Sequence, residues 1–132
     1  MKGATKTGVL LSMALCASIL AASEDWVVPD EARERENPVE ASPKNVAQGE
    51  VHYKKQCLMC HGKSLKGDGP AAGMFEATPA DLSTKEARER LTDGEIFYKI
   101  TEGRTPMPSM RARLSEEDRW KLIRYVRSMQ AR

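Results

Sequence analysis

The chain contains the run Cys57-Leu58-Met59-Cys60-His61, and this C-x-x-C-H pattern constrains the fold more than any other feature. Two thiols at this spacing can each form a thioether bond to a haem vinyl group, and the next residue then offers an imidazole to the iron. If the motif serves this purpose, the chain has to fold around a large apolar porphyrin. We therefore predict one covalently attached haem c, held by Cys57 and Cys60, with His61 as an iron ligand.

Other chemistries also use closely spaced cysteines. A structural zinc site needs four nitrogen or sulfur ligands, and beyond the motif the chain offers His52 and the distant Cys16. A redox-active cysteine pair is expected near a βαβ pattern and at the start of a helix, whereas this motif ends a helix-like run. A simple disulfide or a buried cysteine pair is the remaining alternative.

Residues 1–23 have the layout of a secretory signal peptide. Lys2 and Lys6 precede an apolar run from Val9 to Ala22, and small residues lead into the acidic Glu24-Asp25. An uncleaved membrane anchor is the alternative, although a membrane span needs about 20 apolar residues. Because haem is joined to such thiols on the outer side of the bacterial cytoplasmic membrane, we predict an exported, periplasmic protein.

The remaining sequence is near electrical neutrality. Removal of residues 1–23 takes away Lys2 and Lys6 and leaves 19 basic and 19 acidic residues. This balance gives no indication of nucleic-acid binding. One small domain of this length has little apolar material for a core, and a buried porphyrin would add the missing bulk.

The pattern of polar and apolar residues along the chain predicts an all-α fold. Residues 24–41 are acidic and contain Pro29 and Pro38, so we predict an irregular N-terminal extension in which Trp26, Val27 and Val28 attach to a helical domain at 42–132. No useful alternation of polar and apolar residues predicts a strand.

Cap residues predict where the helices begin. Ser42-Pro43 predicts the start of a helix that runs to Cys57, and Ser83 is the predicted cap of a short helix over 84–90. Thr92-Asp93-Gly94-Glu95 matches a capping box, with Ile96, Phe97 and Ile100 on the apolar face behind it. Ser115 is the predicted cap of the last helix, which ends near Met129. A glycine-rich loop is predicted at 63–79, and a second loop at 103–110.

The order of these motifs resembles the single-haem, class I c-type cytochromes of the bacterial periplasm. The resemblance covers about 45–129 and joins Gly49-x-x-x-Tyr53 to the C-x-x-C-H run, then to Pro79-Ala80-Asp81-Leu82, to Met107-Pro108 and to the last helix. It implies a cytochrome c domain at 42–132, with the first and last helices crossed beside the haem. Gly49 and Tyr53 would then contact Leu122 and Tyr125.

The resemblance also implies the surroundings of the iron. A proline carbonyl shortly after the motif accepts a hydrogen bond from the ligand histidine in the family, and Pro70 matches that position. The family's sixth ligand is a methionine followed by proline, which matches Met107, while Met110 on the same loop is the alternative. The less suitable residues are His52, Met59, Met74 and Met129.

These features lead to an expected function. Iron with both axial positions filled by His61 and Met107 would carry single electrons, so we expect an electron-transfer protein rather than an enzyme. Its expected partners are periplasmic redox proteins or membrane respiratory complexes. We expect the protein itself to be a monomer. The alternatives are an electron-entry subunit of a membrane oxidase, dehydrogenase or reductase, or a haem peroxidase or ligand sensor.

Overall fold

A computed structural model describes residues 26–131 of the chain. Within this range lie six α-helices and one 3₁₀ turn: α1 Asp30–Arg33, α2 Pro43–Gln56, α3 Leu58–His61, α4 Lys85–Arg90, α5 Asp93–Glu102, α6 Glu116–Gln130 and the turn Ala72–Met74. Residues 26–131 contain no β-strand, and the predicted all-α class is confirmed. The signal peptide predicted at 1–23 lies outside the described residues.

Hydroxyl caps begin the two longest helices where the sequence predicts them. Ser42 Oγ accepts a hydrogen bond from Asn45 N at 3.3 Å, and Pro43 occupies the first helical position. Ser115 Oγ accepts from Asp118 N at 3.1 Å. Each bond satisfies a backbone donor that the first turn would otherwise leave without a partner.

The start of α5 differs in part from the predicted capping box. Thr92 Oγ1 accepts from Glu95 N at 3.0 Å, as predicted. The Glu95 carboxylate does not turn back to Thr92; it binds Arg33 at 3.1 Å and Lys99 at 2.7 Å instead. Glu95 is buried, so two cations compensate a charge that would be costly without partners.

The cap of α4 was predicted one residue too early. Thr84 Oγ1 accepts from Ala87 N at 3.0 Å and begins the helix. The hydroxyl of Ser83 donates to Asp81 at 2.6 Å. Since Asp81 takes Ser83 into a local turn, the next hydroxyl along the chain becomes the cap.

Helices α2 and α6 cross each other at a glycine, as predicted. A Cβ atom on Gly49 would lie 2.0 Å from the backbone oxygen of Lys121 and 3.1 Å from Leu122 N. One turn further on, the Tyr53 and Tyr125 rings meet with their centroids 5.2 Å apart. This crossing forms one side of the core, whose buried members are Tyr53, Leu65, Ile96, Phe97, Ile100, Met110, Leu114, Trp120, Leu122, Ile123, Tyr125 and Val126.

The N-terminal arm, defined here as residues 26–41, lies against α5 and α6. It includes the short helix α1, so it is less irregular than predicted. Val28 and Ala32 are buried, Trp26 is half-buried, and Val27 is 82% exposed. Two of the three residues predicted to attach the arm therefore make contact.

A second set of contacts holds the later part of the arm. The Arg35 guanidinium lies 4.6 Å from the centroid of the Phe97 ring, which itself stacks on Trp120 at 4.0 Å. Asn37 Nδ2 donates to Trp120 O at 3.1 Å, and Arg124 Nε donates to Val39 O at 2.6 Å. The arm is thus bound along its length. No helix of residues 26–131 is long and apolar enough to span a membrane.

Candidate haem site

The predicted site residues other than Pro70 meet at one cavity. Its empty volume is about 1000 Å³, including its opening to solvent. One wall carries Cys57, Cys60 and His61, while the loop between α5 and α6 contributes Met107 and Met110. Most of the remaining lining is apolar or small: Phe75, Ala77, Pro79, Ala80, Ile100, Pro106 and Pro108.

The motif forms the single-turn helix α3, and the glycine-rich loop folds back over its end. Gly67 N donates to His61 O at 3.0 Å, Gly69 N to Cys60 O at 3.1 Å and Ala71 N to Met59 O at 2.8 Å. These bonds satisfy carbonyls that a helix end leaves open. A Cβ on Gly69 would lie 2.4 Å from Met59 O, so the loop can approach the motif this closely because it has no side chain there.

Tyr53 connects the helix crossing to the motif. Its hydroxyl donates to Gly62 O at 2.7 Å, directly after His61. Burial raises the pKa of Tyr53 far above its usual value, so the phenol stays protonated and continues to donate. The crossing of α2 and α6 therefore also fixes the position of the motif.

The segment that lies beside His61 is not the one predicted. Its Nδ1 atom is buried and has no hydrogen-bond partner within normal geometry in residues 26–131. Burial lowers the pKa of the imidazole, and the nearby Ala80 backbone acts in the opposite direction. A neutral imidazole is the form that binds a metal.

Pro70 does not occupy the predicted place behind the imidazole. It is exposed and lies outside the cavity lining, where Pro79 and Ala80 are found instead. The reason is that Gly69 and Ala71, on either side of Pro70, bind the Cys60 and Met59 carbonyls. This holds Pro70 at the end of α3, and the later segment approaches His61.

The two cysteines lie on the cavity wall as free thiols. Burial, together with the neighbouring Cys60, raises the pKa of the Cys57 thiol to about 12. A thiol with this pKa is a poor nucleophile at neutral pH. Such a site differs from a redox-active pair, which depends on a lowered thiol pKa.

The loop that carries Met107 is shaped by a tight hydrogen-bonded turn. Arg104 N donates to Met107 O at 3.0 Å, and Met107 N donates to Arg104 O at 2.8 Å. Gly103 precedes the turn with φ +68°, and a Cβ there would lie 2.5 Å from Ser109 N. The loop therefore folds back on itself at Gly103 and brings the half-buried Met107 to the cavity.

Met110 reaches the same cavity in a different way. It is 3% exposed and belongs to the core, and its N–H donates to Ile100 O at 2.9 Å. Met107 is only packed against the core from outside. Both methionine side chains line the cavity. Met110 is a member of the buried core, whereas Met107 packs against that core.

The other sequence candidates lie elsewhere. His52 Nε2 is 3.2 Å from Asp118 Oδ1, on the crossing of α2 and α6. Met59 and Met74 are exposed, and Met129 packs against the core. Among residues 26–131, no group of three His, Cys, Asp or Glu side chains is placed to hold a metal ion.

The sequence pattern did not indicate that Trp26, Phe75, Ile100 and Arg104 line the cavity. Ile100 was identified as apolar and inward-facing, but helical periodicity does not distinguish a core wall from a cavity wall. Trp26 and Arg104 lie far apart in sequence, and no spacing rule joins them. The one available sequence signal for a role at the cavity was Trp26, an aromatic residue in an arm rich in charged residues.

The side chains at the cavity fit a haem. The cavity offers two adjacent thiols, a half-buried imidazole whose lowered pKa favours the neutral form, and thioether sulfurs on another loop. Cysteine thiols, imidazole and methionine are the groups that c-type haem uses for attachment and axial ligation. The apolar lining suits the porphyrin face.

Comparison with known proteins agrees with this fit. Residues 44–126 match the family described as "Cytochrome C oxidase, cbb3-type, subunit III". The chain also resembles a chain of the Kuenenia stuttgartiensis reducing HAO-like protein complex, with 30% identity and a TM-score of 0.61. That match covers 70% of this chain and 46% of the other one, so the protein spans less than half of the chain it resembles. No curated protein matched significantly.

Fold and site together define a class I c-type cytochrome, an electron-transfer haem protein. More particularly, the chain belongs to the family of the cbb3-type cytochrome c oxidase subunit III, whose match covers the segment from α2 to α6. The predicted all-α cytochrome c fold is thereby confirmed. The N-terminal arm lies outside the matched segment.

Proposed function

We propose that the protein carries single electrons between periplasmic or membrane redox partners, as a monomer with one covalently attached haem c. The observation that carries this proposal is the convergence of Cys57, Cys60, His61 and Met107 on one cavity. The sequence contains one C-x-x-C-H run, which supports one haem per chain.

In this proposal, the two thiols and the two axial side chains have separate tasks. Cys57 and Cys60 would hold the group by thioether bonds, so that it would be retained through repeated use. His61, on its helix turn and with Tyr53 bound to the next residue, Gly62, would be one ligand of the iron. Met107, on the turn after Gly103, would be the other, with Met110 as the alternative.

The bound haem supplies a one-electron iron couple, whose potential its axial ligands set within a range of about 0.8 V. A soft, neutral thioether sulfur from Met107 favours the reduced state relative to a second imidazole. With His61 and Met107 both bound to the iron, the haem would have no free site for a substrate. We therefore propose an electron carrier and not an enzyme.

Exposed apolar side chains at the cavity support brief contact with a partner. Phe75 lines the cavity and is 47% exposed, and the neighbouring Met74 is 76% exposed. Transient electron-transfer complexes use small interfaces. We propose that this contact includes the exposed Phe75 and Met74 side chains.

A second candidate is an electron-entry subunit of a membrane oxidase, dehydrogenase or reductase. Two observations favour it: the family description names an oxidase subunit, and the matched structure is a chain of a protein complex. Purification from membranes and from the soluble periplasmic fraction would separate the candidates. Recovery with a fixed membrane partner supports the subunit, and recovery as a free monomer supports the shuttle.

Absorption spectra of the purified ferric and ferrous protein test the proposal. A His/Met carrier gives low-spin iron in both states, and its ferric form has a sulfur-to-iron charge-transfer band near the red end of the spectrum. A high-spin ferric resting state would overturn the carrier and favour the haem peroxidase or ligand-sensor alternative.

A further inference from the structure

A second cleft lies apart from the haem cavity, between the N-terminal arm, α5 and the beginning of α6. Its empty volume is about 440 Å³, including its opening to solvent, and it shares no lining residue with the haem cavity. Three arginines from three separate segments line it: Arg35 of the arm, Arg111 of the loop before α6, and Arg119 of α6. The cleft therefore gathers positive charge at a place that the proposed electron transfer does not use.

Arg119 is the buried member of this group. It is 7% exposed, its Nη1 donates to Thr101 Oγ1 at 2.8 Å, and its Nε donates to Ser115 O at 3.4 Å. Both acceptors are uncharged, and Arg119 forms no ion pair with a carboxylate of residues 26–131. A buried cation without a charged partner is costly, so an anion bound beside Arg119 would be strongly favoured.

The carboxylates of the cleft are bound to the other two arginines. The Arg35 guanidinium binds Glu116 at 2.7 Å, and the Arg111 guanidinium binds Glu102. Burial lowers the pKa of the Arg119 guanidinium, and the like charges of Arg111 and Arg35 lower it as well, while the two carboxylates act in the opposite direction. With three guanidiniums and two carboxylates in its lining, the cleft carries one positive charge in excess.

The Phe97 ring holds two of the three guanidiniums. The guanidinium carbons of Arg35 and Arg119 lie 4.6 Å and 4.9 Å from its centroid. Phe97 is itself buried and stacked on Trp120 at 4.0 Å, so the ring is fixed by the core. A guanidinium that rests on an aromatic ring keeps N–H groups for other acceptors. Two cations are thus positioned before a ligand arrives, which lowers the entropic cost of binding.

We propose that Arg35, Arg111 and Arg119 form a binding site for a small tetrahedral oxyanion such as phosphate. The planar N–H groups of arginine match the oxygens of phosphate in pairs. A tetrahedral anion has enough oxygens to bind three guanidiniums, whereas a carboxylate has two. Arg35 belongs to the arm, outside the matched segment 44–126, so the arm completes a site that the family match does not include.

Calorimetric titration of inorganic phosphate into the full-length holoprotein tests the site, at constant ionic strength with chloride as the reference anion. We expect saturable binding of one phosphate per chain. The melting temperature should rise with phosphate concentration, because a ligand that binds the folded state stabilises it. Acetate, which is a carboxylate, should bind more weakly than phosphate. Absence of saturable phosphate binding, or acetate binding as tight as that of phosphate, would overturn the proposal.

A matched pair of substitutions on one loop locates the binding. Arg111→Gln should weaken phosphate binding roughly tenfold or more, the usual loss when a hydrogen bond to a charged group is removed. Arg113→Gln is the control, because Arg113 is exposed on the same loop, carries the same charge and does not line the cleft. It should leave the dissociation constant nearly unchanged. Equal losses in the two variants would show attraction by net charge alone and would contradict the site.

Two further variants separate binding from a purely structural role. Glu102→Gln removes a negative charge and releases Arg111, so phosphate should bind more tightly, and unchanged or weaker binding would count against the site. Arg119→Gln removes the buried cation and should abolish binding. If that variant does not accumulate, Arg111→Gln and Glu102→Gln, both at exposed positions, decide the outcome. The haem spectra should be the same in all variants, so failure of the electron-carrier proposal would be seen separately.

Discussion

At the scale of residues, Met107 and Met110 show how two methionines on one loop differ. Met107 is half-buried and lies on a hydrogen-bonded turn outside the buried core. Met110 is 3% exposed, and neighbouring core side chains surround it. A ligand has to direct its sulfur to the iron, whereas a core residue has to fill space, so the two substitutions should have different consequences.

We expect Met107→Ala to abolish the sulfur-to-iron band and lower the midpoint potential by on the order of 0.1 V or more, within the range of about 0.8 V that axial ligands set. Met110→Ala should keep the band and lower the free energy of unfolding by about 2–5 kcal/mol, because it leaves a cavity in the core. Spectra, redox titration and chemical denaturation of both variants measure this. The reverse pattern would assign the iron to Met110.

At the scale of elements, the crossing of α2 and α6 depends on close backbone approach. Gly49 faces the Lys121 carbonyl where a Cβ would lie 2.0 Å away, and a backbone atom cannot swing aside as a side-chain end can. The Tyr53–Tyr125 contact and the Tyr53 bond to Gly62 follow from that approach. A change at the crossing should therefore reach the haem motif.

We expect Gly49→Ala to lower the free energy of unfolding by about 1–3 kcal/mol, the usual cost of overpacking. Gly73→Ala is its control, because a Cβ at Gly73 meets nothing within 4 Å. Chemical denaturation, followed by circular dichroism, measures both. Equal stability of the two variants would show that the helices can separate at the crossing without cost.

The first turn of α6 carries carboxylates that respond to acid. The hydrogen bond from the Ser115 hydroxyl, with help from His52 and Lys121, holds the pKa of Asp118 below its usual 3.8. The Arg35 guanidinium of the arm lowers the pKa of Glu116 in the same way. A carboxyl with a lowered folded-state pKa contributes stability above the unfolded value and loses that contribution as the pH falls through the folded one.

We expect unfolding free energy to fall as the pH is lowered from about 5 to about 3. Asp118→Asn should reduce this fall by less than about 1 kcal/mol, because the carboxyl is partly exposed. Glu117→Gln removes the same charge from the same turn, where Glu117 binds Lys121 at 2.6 Å, and serves as the control. Denaturation curves across this pH range would contradict the assignment if both variants behaved alike.

At the scale of the whole molecule, the family match and the arm divide the described chain into two parts. The match covers 44–126, while residues 26–41 bind across α5 and α6 through Arg35, Asn37 and Val39. The arm also places Trp26 at the cavity. We therefore expect the arm, the helices and the bound haem to unfold together in one transition.

We expect exported protein to have a mass equal to that of the chain without residues 1–23 plus one haem. Its pyridine haemochrome spectrum should be that of two thioether bonds, and Cys57→Ser should give the spectrum of one. Intact-mass measurement with denaturing haem staining checks all three points. Haem lost on denaturation would contradict covalent attachment, and a retained N-terminus would favour the uncleaved anchor.

The sequence alone determined the features that depend on neighbours within a few residues. Ser42, Thr92 and Ser115 each bind an N–H three residues ahead, so the starts of α2, α5 and α6 were predictable. The C-x-x-C-H chemistry is equally local. The predicted cap of α4 was wrong although it is also a local feature, because the Ser83 hydroxyl binds Asp81 instead.

Only the tertiary structure decided which distant residues meet. It placed Ala80 instead of Pro70 beside His61, paired the Glu95 carboxylate with Arg33, and brought the Trp26 ring into contact with the Arg104 guanidinium. Each of these contacts joins segments that are separated by many residues, and depends on how helices and loops pack rather than on spacing along the chain. Packing acts on shape and burial over the whole core, whereas helix caps act through hydrogen bonds within a single turn.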